Sequence, residues 1–178
     1  MKKIIAIGAS NSKKSINKQF ATYAANQASG AEVEVLDLND FPLPLYGIDH
    51  ELAEGIPANA QSFLDKIKAA DGIVLSLAEH NGAYSAAFKN LFDWMSRIDG
   101  KLWSNVPMFL LATSPGGRGG QTVLDIAAGR FPYMGGNIAA TFSLPSFGNN
   151  FSDEGITDAD LAKEFNSQLE SFEAALNP

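Results

Sequence analysis

Three polar stretches of this chain each follow an apolar run, and their residue types suit the binding of a phosphorylated ligand. Residues 9–17 read Ala-Ser-Asn-Ser-Lys-Lys-Ser-Ile-Asn, and residues 78–85 read Ala-Glu-His-Asn-Gly-Ala-Tyr-Ser. Residues 114–120 read Ser-Pro-Gly-Gly-Arg-Gly-Gly. Hydroxyls, free backbone N–H groups and lysines at the start of a helix can bind a phosphate. Each stretch alone also fits an ordinary strand-to-helix turn, so its meaning depends on where the fold places it.

The apolar runs before these stretches predict buried strands. Lys3–Gly8, Gly72–Leu77 and Val106–Thr113 show no apolar–polar alternation, which indicates burial on both faces of a sheet. Val33–Leu38 alternates apolar and acidic residues and is predicted as an edge strand, with Ile138–Phe142 as a last short strand. Apolar residues at helical spacing predict helices between the strands and a final helix in the C-terminal segment.

This alternation of strands and helices predicts a doubly wound α/β fold with one parallel sheet and helices on both faces. In the expected five-stranded order 2-1-3-4-5, the first, third and fourth strands are neighbours. The three polar stretches would then meet at the carboxyl edge of the sheet, at the point where the strand order reverses. We expect residues 1–178 to form a single domain with its ligand site at that edge.

The composition excludes several kinds of site and partner. The chain has no cysteine, so it has no disulfide, no thiol nucleophile and no zinc–thiolate site. Its net charge of −7 argues against nucleic-acid binding, and no apolar run approaches the ~20 residues of a membrane span. The run Met1–Gly8 is too short for a signal peptide and is predicted as a strand. We therefore expect a cytoplasmic protein without a metal site.

The segment Asn39–Pro57 is predicted as a long loop that carries apolar residues. Such residues either pack the loop down or meet a partner subunit. His50 is expected to be an exposed residue of this loop without a catalytic role. Trp94 lies away from the apolar stripe of its helix and, together with Trp103, favours an assembly, either a homodimer or a homotetramer.

The first polar stretch differs from the common nucleotide motifs. It lacks the G-x-G-x-x-G fingerprint of dinucleotide sites and the Gly-Lys-Ser/Thr of a Walker A loop. It also lacks the clustered carboxylates that a phosphorylated receiver domain needs. One phosphate site beside two flat polar loops suits a mononucleotide with a planar head, and FMN binds in this way to flavodoxin-like sheets.

The same stretches resemble the motifs of the NAD(P)H-dependent FMN reductases, a flavodoxin-like family that includes chromate, quinone and azo-dye reductases. The family's Gly-Ser-x-Arg-x-x-Ser-x-Asn is matched at Ser10, Ser15 and Asn17, but Ser12 replaces the arginine. Its Pro-Glu-Tyr-Asn-Gly-Ser, followed by Leu-Lys-Asn-x-x-Asp-Trp, resembles Ala-Glu-His-Asn-Gly-Ala at 78–83 and Phe-Lys-Asn-Leu-Phe-Asp-Trp at 88–94. Residues 114–120 are similar to the family's loop beside the flavin ring.

The resemblance implies an FMN-binding enzyme with NADPH or NADH as electron donor. Hydride would pass from the nicotinamide to the flavin N5, and then electrons to a small acceptor such as a quinone, a flavin, an azo compound or an oxidised metal. No side chain is implied as catalytic. The alternative is a flavodoxin-like carrier that only shuttles electrons between proteins. The implied cofactor-binding residues are Ser10, Ser12, Ser15, Ile16, Asn17, Glu79, His80, Asn81, Gly82, Ser114, Gly116 and Gly117.

Overall fold

A computed structural model describes residues 1–177 of the chain, with a five-stranded parallel sheet at its centre. Its strands are β1 Lys2–Ala9, β2 Ala31–Leu36, β3 Gly72–Leu77, β4 Pro107–Thr113 and β5 Asn137–Leu144. They pair in the order 2-1-3-4-5, with every neighbouring pair parallel. The predicted fold class is therefore confirmed.

Seven helices connect or follow these strands within the described residues. They are α1 Ile16–Gln27, α2 Ile48–Glu54, α3 Ala58–Lys68, α4 Ala86–Ile98, α5 Gln121–Arg130, α6 Phe147–Asn150 and α7 Ala159–Leu176. Single 3-10 turns lie at Leu38–Asp40 and Phe131–Met134, and short two-stranded ribbons at 79–84 and 151–156. From residue 1 to residue 177, no helix combines the length and the apolar character that crossing a bilayer requires.

Each face of the sheet has its own hydrophobic core. Ile5 and Ile7 of β1 point into the core beneath α3, α4 and α5, whereas Ile4 and Ala6 point into the core beneath α1 and α7. Burial on both faces is the reason that the central strands carry no apolar–polar alternation. It also leaves the loops at the strand ends as the places where polar groups can gather.

The prediction of a long loop at Asn39–Pro57 is wrong in part, because this segment contains helix α2. None of the residues of α2 is buried, and its seven residues are too few for an apolar pattern by which a helix is recognised. His50 lies in this helix and not in a loop, and its ring packs against Trp94 with centroids 5.8 Å apart.

The two tryptophans do not offer the apolar surface that was expected to favour an assembly, because both indoles are buried within the chain. Trp94 and Trp103 are each 0% exposed. Trp94 is covered by the preceding segment, in which the Pro44 carbonyl accepts hydrogen bonds from Trp94 Nε1 (2.8 Å) and Asn90 Nδ2 (3.0 Å). Asn90 Oδ1 in turn accepts from the Tyr46 N–H at 2.8 Å. The Lys-Asn-x-x-Asp-Trp run thus holds this segment down on α4.

An ion pair adds to this attachment. Arg97 Nε donates to Glu51 Oε2 at 2.8 Å. The hydrogen bond from Arg97 keeps the pKa of Glu51 below its ordinary value, which partial desolvation opposes. This pair is exposed to solvent, so we assign the main attachment of α2 to the buried Trp94 contacts.

Candidate functional site

The buried polar side chains of the described residues gather around the carboxyl edge of the sheet. They are Ser15, Asn17, Ser76, Ser85 and Thr113. Burying a polar group is unfavourable unless it forms hydrogen bonds, so such a cluster requires a specific network. The network ties the loops after β1, β3 and β4 to one another.

Asn17 forms the centre of this network. Its Oδ1 accepts hydrogen bonds from Ser76 Oγ at 2.7 Å and from the Thr113 N–H at 3.2 Å, and its Nδ2 donates to the Thr113 carbonyl at 3.2 Å. The side chain is 3% exposed. One residue of α1 therefore fixes the helix to the ends of β3 and β4. The sequence predicted Asn17 as a direct phosphate ligand and did not predict this structural role. The second hydrogen of Nδ2 has no acceptor within residues 1–177 and is available to a ligand.

The loop after β1 is ordered by its own hydroxyl groups. Ser10 Oγ accepts from the Ser12 N–H at 3.1 Å, and Ser12 Oγ accepts from the Lys14 N–H at 3.3 Å. Ser15 is the N-cap of α1, where its side chain accepts from the third N–H of the helix. The N–H groups of the first two helical residues, Ile16 and Asn17, have no acceptor within residues 1–177. They form a site suited to an anion.

The stretch after β3 forms a β-hairpin with a two-residue turn. Glu79–His80 pairs antiparallel with Ala83–Tyr84, and Asn81 and Gly82 have φ of 52° and 74°. These are the conformations of a type I′ turn, which the Asn-Gly pair favours. Ser85 then caps α4 and also donates its hydroxyl to the Ala9 carbonyl at 2.7 Å, so the hairpin is anchored to the end of β1.

The glycine-rich loop after β4 is held from the side of β5. The Gly116 carbonyl accepts from the Ser146 N–H at 2.9 Å, and the Ser114 carbonyl accepts from the Phe147 N–H at 3.0 Å. Gly119 has φ of 57°, and a Cβ there would lie 2.5 Å from Ser143 Oγ, so this position requires glycine. The loop is therefore a fixed wall of the site.

Together the three loops surround a pocket of about 190 Å³. Eight of the twelve residues that the resemblance implied line this pocket, namely Ser10, Ser12, Ser15, Ile16, Asn17, Glu79, His80 and Ser114. Asn81 and Gly82 form the hairpin tip outside it, and Gly116 and Gly117 lie in the exposed part of the glycine-rich loop. Gly117 lines a separate cleft of about 500 Å³ beside Arg118.

Several residues of this edge are not among those that the sequence indicated. Ala78, Thr113 and Pro115 line the pocket, and Ser76 and Ser85 belong to the buried network. Ser76 has a recognisable signal, because it is the polar residue in an otherwise apolar buried strand. Thr113 has none, since a threonine at the end of a strand is common.

The positive charge of the pocket comes from the loop after β1. Lys14 lines the pocket, and Lys13 and Lys14 are exposed and form no ion pair within the described residues. Lys18, on the first turn of α1, is instead paired with Asp37. Arg118 donates to Thr122 Oγ1 at 3.0 Å and has no carboxylate partner among residues 1–177. Lys14 therefore brings a positive charge to the pocket of an otherwise acidic chain.

Comparison with known proteins agrees with this geometry. The model of the family described as NADPH-dependent FMN reductase matches residues 2–148. The chain belongs to this family. The matched region contains all three loops of the pocket and every strand of the sheet, and α7 lies outside it.

Relatives of this FMN reductase family member include quinone and azo-dye reductases. A quinone reductase of Escherichia coli (strain K12) is 32% identical over 89 residues, which are 48% of this chain and 47% of that protein. An NADPH azoreductase of Bacillus sp. (strain OY1-2) is 33% identical over 123 residues, 69% of this chain and 65% of that protein. The chain thus spans about half the length of the first of these relatives.

Solved structures share the fold over nearly the whole chain. The flavoenzyme NAD(P)H:(acceptor) oxidoreductase FerB from Paracoccus denitrificans is 23% identical, with a TM-score of 0.77 over 99% of this chain and 97% of that one. The apo form of an NADH:FMN oxidoreductase is 20% identical, with a TM-score of 0.75 over 99% and 91%. At such identities the likeness establishes the fold of this FMN reductase family member and nothing finer.

Proposed function

We propose that this chain is an FMN-dependent oxidoreductase that uses NADPH or NADH to reduce a small acceptor. The observation that carries the proposal is the anion site at the start of α1. There the free N–H groups of Ile16 and Asn17 lie beside serine hydroxyls and Lys14. Quinones and azo compounds are supported as acceptors by the family of the chain and by the names of its relatives. Flavins and oxidised metals are further acceptors that we include in the proposal.

The residues at this edge fit FMN. The loop after β1, with Ser10, Ser12, Ser15, Ile16 and Asn17, would hold the phosphate. The hairpin residues 79–82 and loop residues Ser114, Gly116 and Gly117 would flank the ring. FMN, when bound, supplies a group that accepts a hydride and returns electrons. The chain's own residues bind and orient it, and none of them is needed as a proton donor.

The experiment is a visible absorption spectrum of the purified protein with added FMN, followed by steady-state NADPH oxidation with a quinone. We expect a bound-flavin spectrum and turnover that depends on the acceptor. Bound flavin with negligible turnover would favour the flavodoxin-like electron carrier. A protein that binds no FMN would contradict both functions.

Ser12→Arg is expected to tighten FMN binding by roughly 1–2 kcal/mol. Ser12 lines the pocket where the family has an arginine, and a guanidinium can form two hydrogen bonds to a phosphate where a serine forms one. Titration of the apo protein with FMN at low and high salt measures the change, and the gain should shrink in high salt. Equal affinities of variant and wild type at both salts would mean that Lys13 or Lys14 already neutralises the phosphate.

We also infer that the protein acts in the cytoplasm as a homo-oligomer, with a dimer as the basic unit, and that residues 1–178 form a single FMN-binding domain. The absence of cysteine and the use of NAD(P)H support the location. Both cores pack on the same sheet, which supports one domain.

The dimer surface that we propose is the cleft between α4 and α5. Ile126 lines this cleft and is 40% exposed, and Tyr133, in the 3-10 turn after α5, is 72% exposed. The hydroxyl of Tyr84 is buried in the cleft and has no hydrogen-bond partner within residues 1–177, and burial raises the pKa of Tyr84 to about 12. The cleft also carries Asp93 and Arg130, so the patch offers both signs of charge to a second copy related by a two-fold axis.

Ile126→Asp is expected to convert the dimer into a monomer. An aspartate at this position must lose its hydration when two copies associate, and that desolvation is costly even with Arg130 one helical turn away. Light scattering at micromolar concentration should give twice the 19.0 kDa monomer mass for the wild type and the monomer mass for the variant. Val35→Asp is the matched control, because Val35 is 43% exposed on the edge strand β2, away from the cleft. A wild-type protein of monomer mass would reject the interface.

A further inference from the structure

Glu79 lines the pocket, and its carboxylate caps a helix. Its Oε2 accepts a hydrogen bond from the Val123 N–H at 3.0 Å. Val123 is the third residue of α5, and the N-cap of α5 is Gly120, which offers no side-chain acceptor. The carboxylate that caps this helix therefore comes from the hairpin after β3, 44 residues earlier in the chain.

The physical reason for this contact lies in the helix start. The first N–H groups of a helix have no internal acceptor, and the helix dipole favours a negative charge beside them. Helices usually receive this cap from a Ser, Thr, Asp or Asn at the N-cap position. Gly120 has φ of 74° in the left-handed region, where glycine is favoured. The N-cap position of α5 therefore has no side chain that could accept a hydrogen bond.

Two further approaches bring the hairpin close to α5 and to the 3-10 turn that follows it. A Cβ on Gly82 would lie 3.8 Å from Thr122 Cγ2, so the hairpin tip approaches the first turn of α5. The ring of Tyr84 stacks on Phe131, with centroids 6.3 Å apart and planes 10° apart. Glu79 is the one polar link among these three contacts.

This link joins two walls of the candidate cofactor pocket, which follow the neighbouring strands β3 and β4. Ala78, Glu79 and His80 form one wall, and Thr113, Ser114 and Pro115 form the other. The second wall continues through the glycine-rich loop into α5. The hydrogen bond from Val123 to Glu79 therefore bridges the two walls beyond the pocket itself.

We propose that Glu79 is a positioning residue that sets the separation of the two walls for the FMN ring, with its carboxylate committed to α5 and not to the cofactor. This inference rests on the proposed function. It differs from the sequence prediction, which placed Glu79 among the residues that bind FMN. For this role the side chain must be long enough for its oxygen to accept the hydrogen bond from the Val123 N–H, whereas its charge has a smaller effect.

Three substitutions separate reach from charge. Glu79→Gln keeps the reach and an acceptor oxygen but removes the charge. Glu79→Asp keeps the charge but is one methylene shorter, and Glu79→Ala removes both. Gln121→Ala is the matched control, because Gln121 lies on the same first turn and its side chain binds only Asp125 on the same helix. FMN affinity is measured by quenching of flavin fluorescence as apo protein is added.

We expect Glu79→Asp and Glu79→Ala to bind FMN about tenfold more weakly, the size of effect that follows from one lost hydrogen bond. Glu79→Gln should remain within about threefold of the wild type, and Gln121→Ala should be unchanged. Amide exchange of Val123, followed by NMR in the apo protein, should accelerate in the Asp and Ala variants and not in the Gln variant.

Several outcomes would overturn the inference. An Asp variant with wild-type FMN affinity would show that the link does not position the site, even if the Val123 amide exchanges faster. A Gln variant as weak as the Ala variant would assign the effect to charge. Because Asp and Gln are conservative changes, the comparison holds if the Ala variant fails to fold. A wild-type protein that binds no FMN would instead reject the proposed function.

Discussion

Asn17→Ala is expected to lower the free energy of unfolding by about 2–4 kcal/mol and to weaken FMN binding at least about tenfold. The amide of Asn17 makes three buried hydrogen bonds, one with Ser76 and two with the backbone of Thr113. An alanine leaves those partner groups buried without hydrogen bonds, and each such group costs about 1–3 kcal/mol. Partial relaxation and water entry keep the total below the simple sum.

The loss of affinity has the same origin as the loss of stability. Asn17 fixes the start of α1 to the ends of β3 and β4, so without it the anion site is no longer held against the hairpin and the glycine-rich loop. A direct hydrogen bond from the remaining Nδ2 hydrogen of Asn17 to the phosphate would be lost as well. Both effects act in the same direction.

Urea unfolding of the apo protein and FMN titration give the two values. Asn26→Ala is the matched control, since Asn26 lies on the same helix and its exposed Nδ2 bonds only to the Thr22 carbonyl. We expect a change within about 0.5 kcal/mol for the control. Weak FMN binding by Asn17→Ala with unchanged unfolding would mean that Asn17 acts only as a ligand.

The sequence predicted the fold well because strands that are buried on both faces appear in it as continuous apolar runs. The continuous apolar run Gly72–Leu77 predicted a central strand, which the structure confirms with the same bounds. The edge strand was predicted two residues too late, at Val33–Leu38 in place of Ala31–Leu36. The alternation continues through Leu38, but the Asp37 side chain accepts from the Asn39 N–H and starts a 3-10 turn. The hydrogen bond of the Asp37 side chain therefore ends β2 at Leu36, although the apolar–acidic alternation continues to Leu38.

The site was predicted less completely, because its residues act across the chain. The loop positions followed from motif spacing, and eight residues of the prediction do line one pocket. The partners of their side chains did not follow. Asn17 meets Thr113 across 96 positions and Glu79 meets Val123 across 44, and no local spacing records such pairs. The residue types indicated a ligand site, whereas the hydrogen bonds that hold its loops in place are visible only in the structure.

Gly8→Ala is expected to destabilise the protein by about 3 kcal/mol, the upper part of the usual range for an overpacked core. Gly8 lies at the end of β1, where the first turn of α1 crosses it. A Cβ on Gly8 would lie 2.4 Å from the Lys18 backbone nitrogen and 2.5 Å from its Cα. Gly8 has no positive φ, so an alanine could adopt its backbone conformation and the clash alone decides the outcome.

Relief of this clash requires α1 to move away from the sheet by about 1 Å, since carbon and nitrogen atoms pack at roughly 3.5 Å. That movement would carry the free N–H groups of Ile16 and Asn17 out of the pocket and stretch the Asn17 bonds to β3 and β4. We therefore expect FMN affinity to fall together with stability.

Gly129→Ala provides the matched control for the same change of residue. Gly129 lies in α5 with nothing within 4 Å of an added Cβ and no positive φ, so alanine should stabilise the helix by about 0.5–1 kcal/mol. Urea unfolding of both variants gives the comparison, and FMN titration tests the site. A Gly8→Ala protein as stable as the wild type would mean that α1 can shift on β1 without cost. Unchanged FMN affinity in that protein would further mean that the crossing of α1 over Gly8 does not set the anion site.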